Sequence, residues 1–417
     1  MSMNPSTAAR AARPAADRQA LADRLAAVRA HSLALAAPLS PEDQCVQSMP
    51  DASPTKWHLA HTSWFFEAVV FGPHVRGLRP FDARWHHLFN SYYESLGPRH
   101  PRPQRGLLTR PSLQEVHRFR AHVDAALERL VEEADAGTWA QVAPLLELGL
   151  QHEQQHQELM LTDILHVLSC NPLLPAYAAE APLRLAAATP PLRWLSGPEG
   201  AVEIGHEGAG FAFDNETSRH RVWLQPYRIA DRLVTCGEYA VFIADGGYRT
   251  PALWLSDGWA LVQAQQWNAP LYWIAPGDPR VPGDDWQVFG LHGVRPLDAA
   301  APVTHLSFYE AAAYAAWAGA RLPTEAEWEA AHGLPGLRQA TGHAWQWTRS
   351  SYDPYPGFHA WPGAVGEYNG KFMVGQLVLR GGSSATPAGH ARPTYRNFFP
   401  PAARWQFSGL RLAKDVA

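Results

Sequence analysis

The residue types best suited to chemistry stand together in LELGLQHEQQHQELMLTDILHV, residues 146–167, where His152 and His156 lie one turn apart among strong helix formers. Side chains at i and i+4 share a helix face, so the two imidazoles can meet a single metal ion. A third ligand is needed, and the best candidate is His61 in WHLAHTSWFFE, residues 57–67. That stretch reads as an amphipathic helix with Trp57, Leu59, Ala60, Trp64 and Phe65 available for burial. Three neutral imidazoles leave up to three octahedral positions open. Zinc accepts three histidines plus water, whereas the familiar iron triad is two histidines and a carboxylate, so ligand types alone do not choose the metal. The nearby carboxylates, Glu153 and Glu158, are expected to support a ligand or face solvent, since Glu158 lies roughly opposite His156 on the helix.

These histidines need a scaffold, and the first 172 residues contain one. Good helix formers dominate residues 17–39, which Pro38 and Pro41 end. The His61 helix follows a loop and is capped from Ser53 or Thr55 with Pro54. Residues 73–111 are rich in Pro, Gly, Arg and aromatics and read as a long irregular connection; loops of that length tend to be functional. Residues 111–133 form a third helix with Ser112 and Glu115 in capping-box spacing, and the His152 helix is the fourth. Four helices with one long crossover imply a bundle whose facing side chains build the metal site.

Residues 1–16 read as a disordered lead-in, and 173–192, rich in proline and alanine, as a linker. From 193 to 417 short β-like runs alternate with Gly, Trp and Pro around one clear helix at 307–319, which implies an irregular α+β domain. At 417 residues, two domains are the default expectation. A net charge of -4 gives no reason to expect a nucleic-acid partner. No run is apolar enough for a signal peptide or a membrane span. Cys45, Cys170 and Cys236 are isolated, so neither a disulfide scaffold nor a thiolate zinc site is supported, and a reducing cytoplasm fits best. GxGxxG between strand and helix, a Walker loop and a GxSxG elbow are all absent, which removes the signals for nucleotide and serine-hydrolase chemistry.

Four segments of the second domain, HLSFYEAAAYAAWAGARLPTEAEWEAA from His305, HAWQWTRS from His343, VLRGGSSAT from Val378 and YRNFFPPAARWQFSGLRLAK from Tyr395, resemble the formylglycine-generating-enzyme-like domain. That domain is itself a variant of the C-type-lectin fold. WHLAHTSWFFE and HEQQHQE resemble the DinB-like four-helix metal bundle. Either domain alone leaves function open. Their order and pairing, with FNSYYESLGPRHPRPQRG between the histidines, resembles the ergothioneine-biosynthesis sulfoxide synthases, the EgtB-like non-haem iron enzymes, over residues 20–414. The expected fold is therefore α+β in two domains, a DinB-like bundle at 17–172 and a lectin-type domain at 193–417.

The resemblance implies an O2-dependent oxidation that bonds sulfur to the imidazole C2 of hercynine, Nα-trimethylated histidine. A close branch, the SenA-like selenoneine synthases, uses a selenosugar and forms a carbon–selenium bond. Matched motif to motif, the Fe(II) ligands fall on His61, His152 and His156, with His58 left as a spare polar residue on the helix surface. Gln155 matches the position that hydrogen-bonds the substrate imidazole. Tyr92 and Tyr93 match paired tyrosines near the iron, where a hydroxyl beside O2 can donate a proton or hydrogen atom; sequence does not choose between them. Asn397, Phe398 and Phe399 match the segment that holds the carboxylate and the trimethylammonium. A quaternary ammonium cannot donate a hydrogen bond, so aromatic faces must hold it. The active site is thus expected where the two domains meet. Arg99, Arg102 and Arg105 can bind the anionic part of the donor, or form a solvated basic loop.

Glu325, Glu327 and Glu329 in RLPTEAEWE are expected to lock a helix start rather than act in catalysis. True formylglycine-generating enzymes use a cysteine pair, and this half of the chain has only Cys236, so that activity is not carried over. Several positions depart from the common EgtB-like pattern: Cys236 where Asn is usual, His343 and Gln346 in GHAWQWT, and Ser384 in GGSSAT. These changes point to an altered donor pocket and tilt the reading toward the selenosugar, with cysteine or γ-glutamylcysteine as the alternative donor. Two other classes stay open: a DinB-like zinc or nickel thiol transferase carrying a lectin-like binding module, and a binding protein without catalysis.

Overall fold

The computed structural model describes residues 5–178 and 189–416, with side chains from residue 17 onward. Part of the expected lead-in (1–4) and part of the expected linker (179–188) lie outside the described residues. The chain divides into a helical unit, through Val167 with Gly363–Val365, and a sheet-rich unit, Leu168–Pro362 with Gly366–Ala417.

In the helical unit α1 spans Pro5–Ala36 and α2 spans Thr55–Phe65, prolonged by a π-helical turn, Phe66–Phe71, and by the short α3, Gly72–His74. A short α4, Trp85–Phe89, precedes α5, Leu113–Glu133, and α6, Ala136–Ser169. Leu21, Leu25, Arg29, Ser32 and Ala36 are buried and share one stripe of α1, the spacing that turns one face of a helix inward. The reciprocal box of Ser112 and Glu115 starts α5 as its spacing requires. Two residues separate α5 from α6, where the Asp135 carboxylate accepts from the Thr138 N–H at 2.7 Å and caps the new helix.

Buried charge ties the helices together. Glu153 on α6 accepts from Arg29 of α1 at 3.0 Å, Arg120 of α5 at 2.8 Å and Ser32 at 2.6 Å. Burial alone pushes its carboxyl up, but the Arg120 and Arg29 guanidiniums hold it down at about 2. Glu153 is therefore an anchor between helices. Gly149 permits the close approach of α6 to the end of α2, because a Cβ there would lie 2.4 Å from the Phe66 ring.

The sheet-rich unit runs β1 (Trp194–Ser196), β2 (Gly200–Ile204), β3 (His220–Leu224), β4 (Tyr227–Ala230), α7 (Cys236–Ala244), α8 (Ser256–Gln265), β5 (Trp273–Ile274), β6 (Gln287–Gly290) and β7 (Gly293–Pro296). It continues through α9 (Phe308–Trp317), α10 (Glu325–Ala331), β8 (Trp345–Ser351), β9 (Leu377–Arg380), β10 (Asn397–Phe399), β11 (Ser408–Gly409) and β12 (Ala413–Asp415). The sheets have orders β1-β4-β12, β2-β3, β5-β6-β7 and β10-β9-β8-β11, and the last contains the parallel pair β8 and β11. The unit is irregular, as expected, but richer in helix than its sequence implies. Thr235, Ser307 and Thr324 each open a helix with a capping box.

All three carboxylates of RLPTEAEWE are tied down. Glu327 takes both guanidinium nitrogens of Arg321 at 2.7 Å, Glu325 takes Arg396 at 2.9 and 3.0 Å, and Glu329 takes Arg380. Among the described residues no helix is long and apolar enough to cross a membrane.

Candidate metal centre

Every residue of α2 from Thr55 to Phe65 is buried, which corrects the amphipathic reading of this helix. A helix enclosed on all sides has no solvent face for a polar residue. His58, expected on the surface, is 2% exposed.

His61 projects from α2 toward His152 and His156 on α6. Their Nε2 atoms, His61 to His152, lie 3.2 Å apart, and one ligand atom from each of the three histidines falls within 4.8 Å of the others. The three ring centroids form a near-equilateral triangle with sides of 4.6, 4.7 and 4.9 Å. With a metal–nitrogen bond of about 2.1 Å, a 3.2 Å separation subtends roughly 100° at the ion, between tetrahedral and octahedral demands.

Each ring is oriented by what lies behind it. His61 Nδ1 is 2.6 Å from the Phe89 carbonyl, which can only accept, so Nδ1 carries the proton and Nε2 offers its lone pair. Trp57 and Trp64, one turn before and one turn after, stack on the His61 ring at 4.6 and 5.5 Å with interplanar angles of 12° and 16°. Arg105 caps this stack 3.4 Å above Trp57 and donates to Ser53 Oγ and Ser91 Oγ at 2.9 and 3.2 Å. Phe65 packs on His152 at 4.7 Å. His156 Nδ1 meets His58 Nδ1 at 2.7 Å, and His58 Nε2 meets Asp163 Oδ2 at 3.0 Å.

Burial is the main cause that lowers the protonation of all three candidate ligands, followed by neighbouring imidazoles or, for His152, the opposing pull of Glu153. His152 is lowered to about 3, and His61 and His156 fall well below the usual histidine range. Neutral imidazoles whose ligand atoms lie within 4.8 Å of one another, with the His61 tautomer fixed by the Phe89 carbonyl, fit a divalent first-row metal.

Both units match known protein families. Residues 24–160 match the DinB superfamily, and residues 193–335 and 333–416 match the sulfatase-modifying factor enzyme 1-like domain. The chain is 33% identical to the hercynine oxygenase of Mycolicibacterium thermoresistibile over 88% of each chain. It belongs to the hercynine oxygenase family. The hercynine oxygenase of Mycobacterium tuberculosis is 32% identical over 95% of this chain and 99% of its own. As a family member the chain is an oxidoreductase. A partial match, 39% identical over 35% of this chain and 49% of the relative, is to the formylglycine-generating enzyme of Streptomyces coelicolor. Cys236, the one cysteine in the matching half, is buried and its thiol is pushed up to about 12, unlike a reactive pair.

Against the family's expected site, the other residues are placed as follows. Tyr93 is fully buried, packed on Trp64 at 5.6 Å, and its ring stacks on half-buried Tyr92 at 4.7 Å. Gln155 is half-buried beside His156. Arg99 pairs with Glu94 at 2.9 Å and donates to the Ser91 carbonyl, and Arg102 donates to the Asp51 carbonyl; both arginines are exposed. In the sheet-rich unit Asn397, Phe398 and Phe399 form β10, where Phe398 stacks on Tyr352 at 4.0 Å and Phe399 meets Trp405 at 5.8 Å.

Sequence reasoning missed His58 and Asp163. The signal was available: His152, His156 and Asp163 at i, i+4 and i+11 fall on one narrow stripe of a helix, and His58 precedes His61 by three.

Proposed function

We propose that this chain is an Fe(II)- and O2-dependent enzyme that forms a carbon–chalcogen bond at the imidazole C2 of hercynine. The observation that carries the reading is the convergence of three neutral imidazoles, His61 and His152 buried and His156 half-buried, in a member of the hercynine oxygenase family. When bound, iron supplies the redox chemistry toward O2 and open positions for small ligands. The protein brings three ring nitrogens together, stacks His61 against two indoles, and shields His61 and His152 from bulk water.

In this reading Gln155 hydrogen-bonds the substrate imidazole. Asn397 binds the carboxylate, and Phe398 and Phe399 face the trimethylammonium at about 0.5–2 kcal/mol per contact. Tyr92 or Tyr93 holds the proton that oxygen reduction consumes, and Arg99 and Arg102 take the anionic part of the donor. Substrates are small molecules, with no nucleic acid or membrane as partner; three cysteines isolated in the sequence fit a reducing cytoplasm.

For the donor we place a selenosugar ahead of cysteine and γ-glutamylcysteine, on narrower support than the sequence departures first offered. Cys236 is buried at the start of α7, and Gln346 accepts from Trp328 and Arg411 at 2.8 Å in the core, so neither change speaks to a donor pocket. Ser384 and His343 remain. The test is anaerobic reconstitution with Fe(II), then aerobic incubation with hercynine and the three donors in competition, read by mass spectrometry and O2 uptake. A carbon–selenium product with O2 consumed is expected. Sulfur products alone would reverse the donor preference, while tightly bound zinc without O2 uptake would return the chain to the thiol-transferase class.

A further inference from the structure

We propose that Asp163 and His58 form a hydrogen-bonded chain that positions His156 and fixes which of its nitrogens is the ligand. The proposal rests on the metal-centre reading and goes beyond it to two residues that touch no ligand position themselves.

The direction of the chain follows from what each atom can do. Asp163 Oδ2 accepts the Ser53 N–H at 2.8 Å and lies 3.0 Å from His58 Nε2; a carboxylate only accepts, so Nε2 of His58 carries a proton. The 2.7 Å contact between His58 Nδ1 and His156 Nδ1 then needs one proton between them. If His156 donates it, His156 Nε2 is a lone pair free to ligate. If His58 donates it, the His156 proton sits on Nε2 and that nitrogen cannot bind a cation. A loaded centre therefore selects the first arrangement: carboxylate to His58 N–H, His58 lone pair to His156 N–H, His156 Nε2 to the ion. His58 and Asp163 are shielded from solvent, at 2% and 3% exposed, so water does not readily substitute for either. Asp163 also locates the start of α2 through Ser53, which places His58 and His61 together. His61 reaches the same end through a neutral carbonyl, that of Phe89, whereas His156 has a carboxylate behind it, which raises ligand basicity more.

The wild-type protein gives one test without any substitution. In ¹⁵N-labelled protein loaded with Zn(II), His156 is expected to carry its proton on Nδ1 and to coordinate through Nε2; coordination through Nδ1 would overturn the proposal. A second test measures Co(II) and Fe(II) affinity by competition with a chelator, with folding checked by circular dichroism. His58→Phe and Asp163→Leu each remove an acceptor and are expected to weaken binding about 10–100-fold. Asp163→Asn keeps an acceptor oxygen for Ser53 and His58 and is expected to restore affinity to within about threefold of wild type, a rescue that general destabilisation would not follow. Folded His58→Phe that binds metal as tightly as wild type would refute the positioning role. Failure of the wild-type protein to bind metal at the three histidines would instead refute the metal-centre reading itself.

Discussion

The two segments with the strongest sequence patterns, 152–156 and 321–329, use buried ionisable groups in opposite ways. In the sheet-rich unit every carboxylate of RLPTEAEWE is closed by an arginine: Glu327 by Arg321, Glu325 by Arg396 and Glu329 by Arg380. In the helical unit Glu153 is closed in the same manner by Arg29 and Arg120, yet His152 and His156 beside it bring ring nitrogens within 4.8 Å of one another and of His61. A closed pair contributes to holding one conformation. An open triangle of desolvated bases costs stability and gains it back only by binding a cation. Function is written in the group of donors whose mutual approach makes sense only with a further partner.

The largest effect expected from this contrast is at the open site. His152→Ala should abolish metal binding, read by metal analysis after gel filtration, without lowering the melting temperature of the metal-free protein, because it removes a desolvated base. A marked fall in metal-free stability would mean that the triangle is ordinary packing. Next is Arg396→Met, which leaves Glu325 buried with its main partner gone; a loss of about 3–5 kcal/mol is expected in chemical denaturation, with metal stoichiometry kept by whatever remains folded. Gly149→Ala, which drives a methyl into the Phe66 ring, should cost about 1–3 kcal/mol and loosen the α6 turn that carries His152.

Acid separates the two regions further. His152, lowered to about 3, belongs to the open site; His305, lowered to about 4, and His390, lowered to about 3, are packed in the sheet-rich unit, all three chiefly by burial. Each is neutral when folded, while the unfolded chain takes up protons near pH 6.5. Their contribution is therefore intact above about pH 6.5 and is lost as pH falls from there toward 4 and 3, by at most about 1.4 kcal/mol per histidine per pH unit. Denaturation at pH 7.5 and 5.5 should show that loss in metal-free and metal-loaded protein alike, because the protons enter the unfolded chain and folded His152 takes up none in that range. A distinctly larger loss in the loaded form would mean that the folded histidines take up protons in this range and are not held neutral by burial.

His61 and the order of the units rested on resemblance to a known family, while His152 with His156 and the start of α5 were legible from local rules, i and i+4 sharing a face and Ser112 with Glu115 setting a helix start. His58 was not, because the helical reading of residues 57–67 assumed one solvent face and α2 has none. The short helices α7 and α8 went unread although α9 is just as short, because α9 is an alanine-rich run whereas α7 and α8 carry glycine, β-branched and aromatic residues whose places are set by packing. The same limit applies to Gln346. Its departure from the family pattern was visible, but that it serves Trp328 and Arg411 in the core follows only from the three-dimensional arrangement.

The smallest effect, and the one that separates two otherwise matched residues, is expected at the paired tyrosines. Tyr93 lies inside, its ring against Trp64 and Phe65, which in turn pack on His61 and His152. Tyr92 covers that ring from a half-buried position. The Tyr93 ring thus backs the wall that holds two candidate ligands, a task phenylalanine can perform, and Tyr93→Phe should cost no more than about 1 kcal/mol with metal affinity unchanged. Tyr92→Phe keeps the stack equally well, so a fall in turnover confined to it would assign the proton to the tyrosine nearer the open side. If Tyr93→Phe instead loses turnover while holding its metal and its stability, the buried hydroxyl is the proton donor, and the enclosed part of the helical unit takes part in the chemistry rather than only supporting it.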